Sequence, residues 1–234
     1  MRLGILETGA PPSEVDQFGD YPAMFRALFG GDAYDYATFD VQAGRLPSTT
    51  DACAAYVITG SPAGVYDPLP WIEPLKDFLR AAKGVPMVGI CFGHQIMAEA
   101  FGGKVIQSPK GWGVGLHRYE VQAAQAWMDA PRLTAAASHQ DQVVEAPPGA
   151  IVLAASGFTP FGMLAYGDQP AISLQLHPEF EPAYARALIE ARRGTRLTDA
   201  QADRAVLSFE QPDDRARVGR WIQRFLAEAT LGGS

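Results

Sequence analysis

A cysteine at position 91 lies in a sequence that could place a thiol where it can react. It belongs to GICFGHQ, residues 89–95, which joins the end of the apolar run VPMVGI to the start of the segment HQIMAEAFGG. The run is typical of a strand buried on both faces, and the segment predicts a helix with one apolar face. Cys91 is therefore expected in a tight turn between strand and helix, where Gly89 and Gly93 relieve crowding.

A thiol in such a turn stands at the carboxyl edge of the sheet and at the N-terminus of a helix. The helix dipole and the unpaired N–H groups there stabilise a thiolate, which is the nucleophilic form of cysteine. A buried, inert cysteine is the alternative, but the pattern GxCxGxQ around Cys91 favours a nucleophile. Cys53 has no comparable surroundings and is expected to be structural.

A nucleophilic thiolate needs a base and a group that orients the base. The alternation in AISLQLHPEF, residues 171–180, predicts a strand that ends at His177. Pro178 keeps His177 extended, so that Glu179 can point to the same side. A carboxylate that accepts one ring N–H leaves the other nitrogen free to exchange a proton with Cys91. A core histidine followed by an acid at a helix start remains an open alternative.

The segment TGSPAGVYD, residues 59–67, follows a third apolar run and predicts a turn with exposed backbone N–H groups. Such groups stabilise an oxyanion, and the N–H of Phe92, just after the cysteine, is a second candidate donor. An ordinary glycine turn is the alternative. A phosphate site is disfavoured because the segment has neither GxGxxG nor a Walker lysine.

The elements that position these residues follow a βαβ rhythm. Short β-branched runs alternate with amphipathic segments, which predicts an α/β three-layer sandwich with a mostly parallel central sheet. Helical periodicity is clear from Trp71 to Ala82 and from Val218 to Ala229. Between about residues 112 and 173, short strands and turns indicate appended antiparallel strands. The polar stretch 193–212 is expected to be a surface excursion.

Composition narrows the possible functions. The 234 residues are 47% hydrophobic and 19% charged, which suits one globular domain spanning residues 1–234. No apolar run approaches the ~18 residues of a membrane span, and the N-terminus has no secretory signal pattern, so no membrane association and a cytoplasmic location are expected. A net charge of −7 disfavours a nucleic-acid partner. Four histidines and two cysteines without paired spacing indicate no metal site.

Taken together, GICFGHQ, TGSPAGVYD and HPE resemble the class I glutamine amidotransferase family over nearly the whole chain. The resemblance implies a flavodoxin-like fold, no cofactor, and a catalytic triad that cleaves the γ-glutamyl amide of glutamine through a thioester, releasing ammonia and glutamate. It implies that Gln95 and the loop SHQD hold the glutamyl substrate, although Gln140 stands where the family often has glycine. The implied residues are Cys91, His177 and Glu179 for the triad, Gly60 or Ser61 with Phe92 for the oxyanion hole, and Gln95, Ser138, His139 and Gln140 for the substrate.

The motifs are most similar to the amidotransferase domain of GMP synthase, but no ATP pyrophosphatase part follows in this chain. Either the protein is switched on by a partner synthase subunit, or its substrate is another γ-glutamyl compound. A γ-glutamyl peptidase that acts on γ-glutamyl conjugates is the second enzymatic hypothesis. Further alternatives are a redox-sensing role for Cys91 and a non-catalytic regulatory subunit.

Overall fold

The computed structural model describes residues 1–232, and at their centre lies a nine-stranded mixed sheet. Its strands are β1 (Arg2–Glu7), β2 (Asp35–Asp40), β3 (Ala55–Ile58), β4 (Met87–Ile90), β6 (Gly113–Val121), β7 (Arg132–His139), β9 (Ala150–Ala155), β10 (Met163–Tyr166) and β11 (Ala171–Leu174). Their order across the sheet is β2-β1-β3-β4-β11-β10-β9-β6-β7. A separate antiparallel pair consists of β5 (Lys104–Gln107) and β8 (Asp141–Glu145).

The sheet has a parallel half and an antiparallel half. Strands β2, β1, β3, β4 and β11 pair in parallel. Strands β10, β9, β6 and β7 continue the sheet beyond β11 with antiparallel pairing. This arrangement confirms the prediction of a parallel core with antiparallel strands appended from the middle of the chain.

Helices cover both faces of the parallel half. The helices are α1 (Tyr21–Phe29), α2 (Ile72–Ala81), α3 (Phe92–Ala100), α4 (Pro182–Arg192), α5 (Asp199–Ser208) and α6 (Arg215–Leu231), with a 3-10 helix at Ser13–Phe18. On one face, Phe25 of α1 and Trp221 of α6 pack with Ile5 in one apolar core. On the other, Leu75 of α2 and Ile58 of β3 share a second core that includes residues of α3. The three predicted layers are therefore present.

Strand β1 shows why the two cores form. Its side chains alternate between the faces, so Leu3 and Ile5 join the first core while Leu6 joins the second. Both faces are covered, and such strands are apolar throughout. The periodicity predicted for α2 and α6 is confirmed, because the large apolar residues at the predicted positions, such as Leu75 and Leu79 of α2 and Trp221 and Phe225 of α6, are buried.

The stretch 193–212 differs from the prediction of a surface excursion, because it contains helix α5. Thr198 caps this helix: its hydroxyl accepts from the N–H of Gln201, whose side chain accepts from the N–H of Thr198. The buried residues of α5 are Ala202 and Ala205, which add to a third apolar cluster with residues of α4. A face made of alanine gives a weak hydrophobic signal, which explains why the sequence pattern did not reveal the helix.

None of the helices within residues 1–232 combines the length and the apolar character that crossing a bilayer requires.

The order of the parallel strands positions the candidate site. Strands β3, β4 and β11 are neighbours in the sheet. Their carboxyl ends lead respectively into Gly60, Cys91 and the segment that contains His177. Parallel strands end at the same edge of a sheet, so three segments that are distant in sequence meet there.

Candidate active site

Cys91 lies in a sharp turn between β4 and α3, as the sequence predicts. Its backbone has φ 53° and ψ −99°, and it is the only non-glycine residue with a positive φ within residues 1–232. Its N–H donates to the carbonyl oxygen of Leu174 in β11 at 2.8 Å, and its carbonyl oxygen accepts from the N–H of Gln95 at 3.0 Å. These bonds hold the strained turn between the sheet and the helix.

Two glycines allow this turn to pack tightly. A Cβ atom added at Gly89 would lie 2.4 Å from the carbonyl oxygen of Gly93, and one at Gly93 would lie 2.3 Å from the carbonyl oxygen of Ile58. The N–H of Gly93 donates to the carbonyl oxygen of Thr59 at 3.1 Å, so the turn is tied to the end of β3. Glycine is required at both positions by close backbone approach.

His177 lies three residues beyond the end of β11, so the strand is shorter than the alternation predicts. The extended conformation nevertheless continues, because the N–H of His177 donates to the carbonyl oxygen of Ala136 at 2.9 Å in an isolated bridge. Nδ1 of His177 lies 2.8 Å from Oε1 of Glu179, and both residues are buried. The ring of Phe180 stacks on the imidazole with centroids 3.9 Å apart and 10° between the planes.

The charge state of His177 is set by its neighbours. Burial by itself lowers the pKa of the imidazole, but the negative charges of Cys91 and Glu179 outweigh burial, and the pKa of His177 is raised above its usual value. Nε2, the nitrogen opposite Glu179, has no hydrogen-bond partner among the described residues. This nitrogen is therefore available to a reacting group.

The glycine turn after β3 supplies free backbone donors. The hydroxyls of Thr8 and Thr59 each lie 3.1 Å from the carbonyl oxygen of Gly60, which they hold inward. The N–H of Ser61 belongs to the same trans peptide and points the opposite way, away from both threonines. Within residues 1–232, the N–H groups of Gly60, Ser61 and Phe92 donate to no other backbone group.

Gly60 also separates the base from the thiol. A Cβ atom added there would lie 3.3 Å from Cε1 of His177 and 3.9 Å from Cβ of Cys91. A methyl group there would therefore crowd the imidazole of His177 and only touch Cys91.

Cys91 opens onto two adjoining clefts. The His177 cleft, of about 320 Å³, is bordered by Tyr21, His177, Phe180 and Leu188. The Gln95 cleft, of about 330 Å³, is bordered by Tyr66, Asp67, Gln95, His139, Gln140 and Asp141. The residues that line both clefts are Ser61, Pro62, Cys91, Ser138, Arg192 and Arg196.

Comparison with known proteins decides the family. The family model described as glutamine amidotransferase class-I matches residues 36–192, about two thirds of the chain. The chain belongs to the class I glutamine amidotransferase family. The match covers β4, α3 and β11, and it includes Cys91, His177 and Glu179.

Curated relatives within and around this family carry several names. A glutamine amidotransferase-like protein of Schizosaccharomyces pombe is 30% identical, and the alignment covers 97% of this chain and 99% of the relative. Gamma-glutamyl peptidase 3 of Arabidopsis thaliana is 28% identical, with 84% of each chain covered. A glutamine-hydrolyzing GMP synthase subunit of Methanopyrus kandleri is 30% identical, with 71% of this chain and 88% of the relative covered.

Solved structures agree on the fold. A glutamine amidotransferase from Thermotoga maritima superimposes with a TM-score of 0.76 at 19% identity, covering 99% of this chain and 98% of the other. The α/β fold with its flanking helices is therefore the fold of class I glutamine amidotransferases, as the sequence motifs predict.

The four residues that the amidotransferase resemblance assigns to substrate binding all border the Gln95 cleft, but each already has a side-chain contact within the protein. Nε2 of Gln95 donates to the carbonyl oxygen of Asp141 at 2.9 Å, which anchors the loop that follows β7. The ring of His139 lies 3.1 Å from the same carbonyl oxygen, and burial lowers the pKa of His139 to about 3. Ser138 and Gln140 are only partly buried: Oγ of Ser138 accepts from Arg192, and Oε1 of Gln140 accepts from Nε2 of Gln107 at 3.4 Å.

Three residues near the glycine turn have different environments. Tyr66 and Asp67 border the Gln95 cleft, and the Tyr66 hydroxyl donates to Oδ2 of Asp141 at 2.8 Å. Trp71 is buried, and its ring lies 5.4 Å from the ring of Phe92. Trp71 therefore belongs to the apolar core and lines neither cleft.

Two arginines, one at the end of α4 and one four residues beyond it, are the main feature of the site that the sequence motifs did not reveal. Nη1 of Arg192 donates to Oγ of Ser138 at 2.6 Å. The guanidinium carbons of Arg192 and Arg196 lie 5.1 and 5.7 Å from the ring centroid of Trp112. The only available signal was the basic sequence ARRGTR after HPE, which resembles an ordinary solvated stretch.

The side chains of residues 1–232 form no group of three or more histidine, cysteine, aspartate or glutamate residues suited to hold a metal ion.

Proposed function

We propose that this protein is a cysteine-dependent hydrolase of γ-glutamyl amides, in which Cys91, His177 and Glu179 form the catalytic triad. The observation that carries the proposal is that a strained cysteine turn and the histidine of a buried His–Glu pair border the same cleft. Neither the strained turn nor the buried pair stabilises the fold, because backbone strain and buried charge both oppose folding. Their combination is typical of an activated nucleophile.

The first half-reaction would be acylation. The thiolate of Cys91 attacks the carbonyl carbon of the γ-amide, and the carbonyl oxygen becomes an oxyanion that the N–H groups of Ser61 and Phe92 can stabilise. His177 then donates its Nε2 proton to the amide nitrogen. The C–N bond breaks, the amine leaves, and the glutamyl group remains on sulfur as a thioester.

Deacylation would use the same groups in reverse. His177, now neutral at Nε2, removes a proton from water, whose oxygen bonds to the thioester carbon while the C–S bond breaks. Glutamate leaves and the thiolate is restored. Glu179 holds Nδ1–H throughout, which fixes the tautomer and stabilises the imidazolium.

Glutamine is the simplest substrate of this reaction and would release ammonia. A partner synthase that consumes the ammonia is consistent with similarity to a glutamine-hydrolyzing subunit of GMP synthase. A second substrate class, γ-glutamyl conjugates with an amine or peptide leaving group, is favoured by the open His177 cleft beside Cys91 and by similarity to a protein named gamma-glutamyl peptidase.

The direct test is glutamate release by the purified protein from glutamine and from a panel of γ-glutamyl dipeptides, with Cys91→Ala as the blank. We expect Cys91-dependent turnover of at least one substrate. Cys53→Ala is the matched control, since Cys53 is also buried but lies outside both clefts, and it should retain activity. Equal activity of the wild type and Cys91→Ala would show that the triad assignment is wrong.

A further inference from the structure

The position of His177 indicates which cleft receives the leaving group. A general acid must come within hydrogen-bond reach of the atom that it protonates, and here that atom is the amide nitrogen. His177 borders one cleft and not the other, whereas Cys91 borders both. The leaving group therefore extends into the His177 cleft, and the glutamyl part occupies the Gln95 cleft.

The His177 cleft is much larger than ammonia requires. Its volume is about 320 Å³. A water molecule, which is close to ammonia in size, takes up only about 30 Å³ in the liquid. The space fits an amino-acid or short peptide leaving group.

Two arginines at the junction of the clefts have no ion-pair partner among the described residues. Arg192 and Arg196 border both clefts, and within residues 1–232 neither forms an ion pair with a carboxylate. Glu14 borders the His177 cleft, and Asp67 and Asp141 border the Gln95 cleft, but none of the three forms an ion pair with either guanidinium. Burial lowers the pKa of Arg192 most, the positive charge of Arg196 contributes in the same direction, and Cys91 acts in the opposite direction. An anion placed between these groups would relieve their repulsion.

The Arg192 guanidinium is held in place, and the exposed Arg196 guanidinium lies beside it over the same ring. Arg192 donates to Ser138 at 2.6 Å, and both guanidinium groups lie over the ring of Trp112. Guanidinium groups bind carboxylates through paired hydrogen bonds, and fixed groups lose less conformational entropy on binding.

We propose that Arg192 and Arg196 bind the free carboxylate of the leaving group, so that the preferred substrates are γ-glutamyl amino acids or peptides rather than glutamine. This inference rests on the proposed function. The reaction consumes one water: the γ-amide C–N bond breaks, His177 supplies the proton to the departing nitrogen, and the products are glutamate and an amino acid or peptide. The carboxylate that the arginines bind takes no part in bond making.

The test compares γ-glutamyl-alanine with γ-glutamyl-alanine amide, which has the same size but lacks the carboxylate charge. We expect the wild type to have at least about ten-fold higher kcat/KM on the acid, in keeping with a charged hydrogen-bonded pair. Arg196→Gln should lower kcat/KM on the acid about ten-fold and change the value for the amide less than two-fold. Arg204→Gln, at an exposed arginine outside both clefts, should leave both values unchanged.

Other outcomes overturn the inference in distinguishable ways. If Arg196→Gln lowers kcat/KM equally on both substrates, the arginines contact the glutamyl part of the substrate and not its leaving group. If the wild type shows no preference for the acid, the leaving group makes no charged contact with the protein. Absence of glutamate release from every substrate contradicts the proposed function instead, and calorimetric binding of the acid and the amide to Cys91→Ser then decides the inference alone. Equal affinities would refute it.

Discussion

Replacement of Cys91 by glycine and by alanine should reverse the usual order of stability of these two residues. Inside a helix or strand, a protein with glycine at a given position is less stable than the same protein with alanine there by about 0.5–1 kcal/mol, because glycine loses more conformational freedom on folding. A non-glycine residue in a sparsely populated backbone region costs about 1–3 kcal/mol, and Cys91 has φ 53° and ψ −99°. Glycine removes this strain and alanine retains it. We therefore expect Cys91→Gly to be more stable than Cys91→Ala by about 1 kcal/mol.

The comparison is made by urea unfolding, supported by thermal unfolding, where about 1 kcal/mol corresponds to about 2–4 °C for a chain of this size. Ala227→Gly is the matched control, since Ala227 is exposed within α6 and has no positive φ. It should lose about 1 kcal/mol. If Cys91→Gly is less stable than Cys91→Ala by as much as the control loses, the cysteine turn is not strained and the argument for a held nucleophile fails.

Three further predictions concern the base and its surroundings. Glu179→Gln should lower kcat about 10²- to 10⁴-fold. Because Glu179 helps to raise the pKa of His177, the substitution should also move the alkaline limb of the kcat/KM profile down by about one pH unit. An unchanged alkaline limb would contradict the pairing of Glu179 with His177. Burial lowers the pKa of the other three histidines, so ¹⁵N NMR at pH 7.5 should show a single imidazolium signal. Its loss in His177→Ala would assign it to His177, and a second imidazolium signal would contradict the charge assignment. Gly60→Ala should reduce kcat about ten-fold by displacing the imidazole, with the urea midpoint nearly unchanged, whereas full activity would show that the gap tolerates a methyl group.

The sequence was sufficient to predict the cysteine turn because its determinants are local. An apolar run, Gly89, Cys91, Gly93 and an amphipathic segment follow one another without interruption, and each fixes one part of the turn. The pairing of His177 with Glu179 is also local, since the two residues are separated only by Pro178. The βαβ rhythm predicts parallel strands, whose carboxyl ends lie at one edge of the sheet, but it does not determine that β3, β4 and β11 are neighbours.

Features that depend on distant contacts could not be predicted in the same way. The strand before His177 ends early, because beyond Leu174 the chain bonds to Ala136 instead of continuing the pairing with β4. The roles of Arg192 and Arg196 depend on Trp112 and Ser138, which are far away in sequence. The small clefts around a nucleophile are defined by such contacts, so substrate preference requires the structure.

The most direct test of the central claim is to look for a glutamyl thioester on Cys91. The wild-type protein is mixed with γ-glutamyl-alanine, quenched in acid within the first turnover, digested and analysed by mass spectrometry. We expect a glutamyl adduct on the peptide that contains Cys91, with none on the peptide that contains Cys53 and none in Cys91→Ala. Turnover of the substrate without an adduct on Cys91, or an adduct on Cys53 instead, would contradict the assignment of Cys91 as the nucleophile.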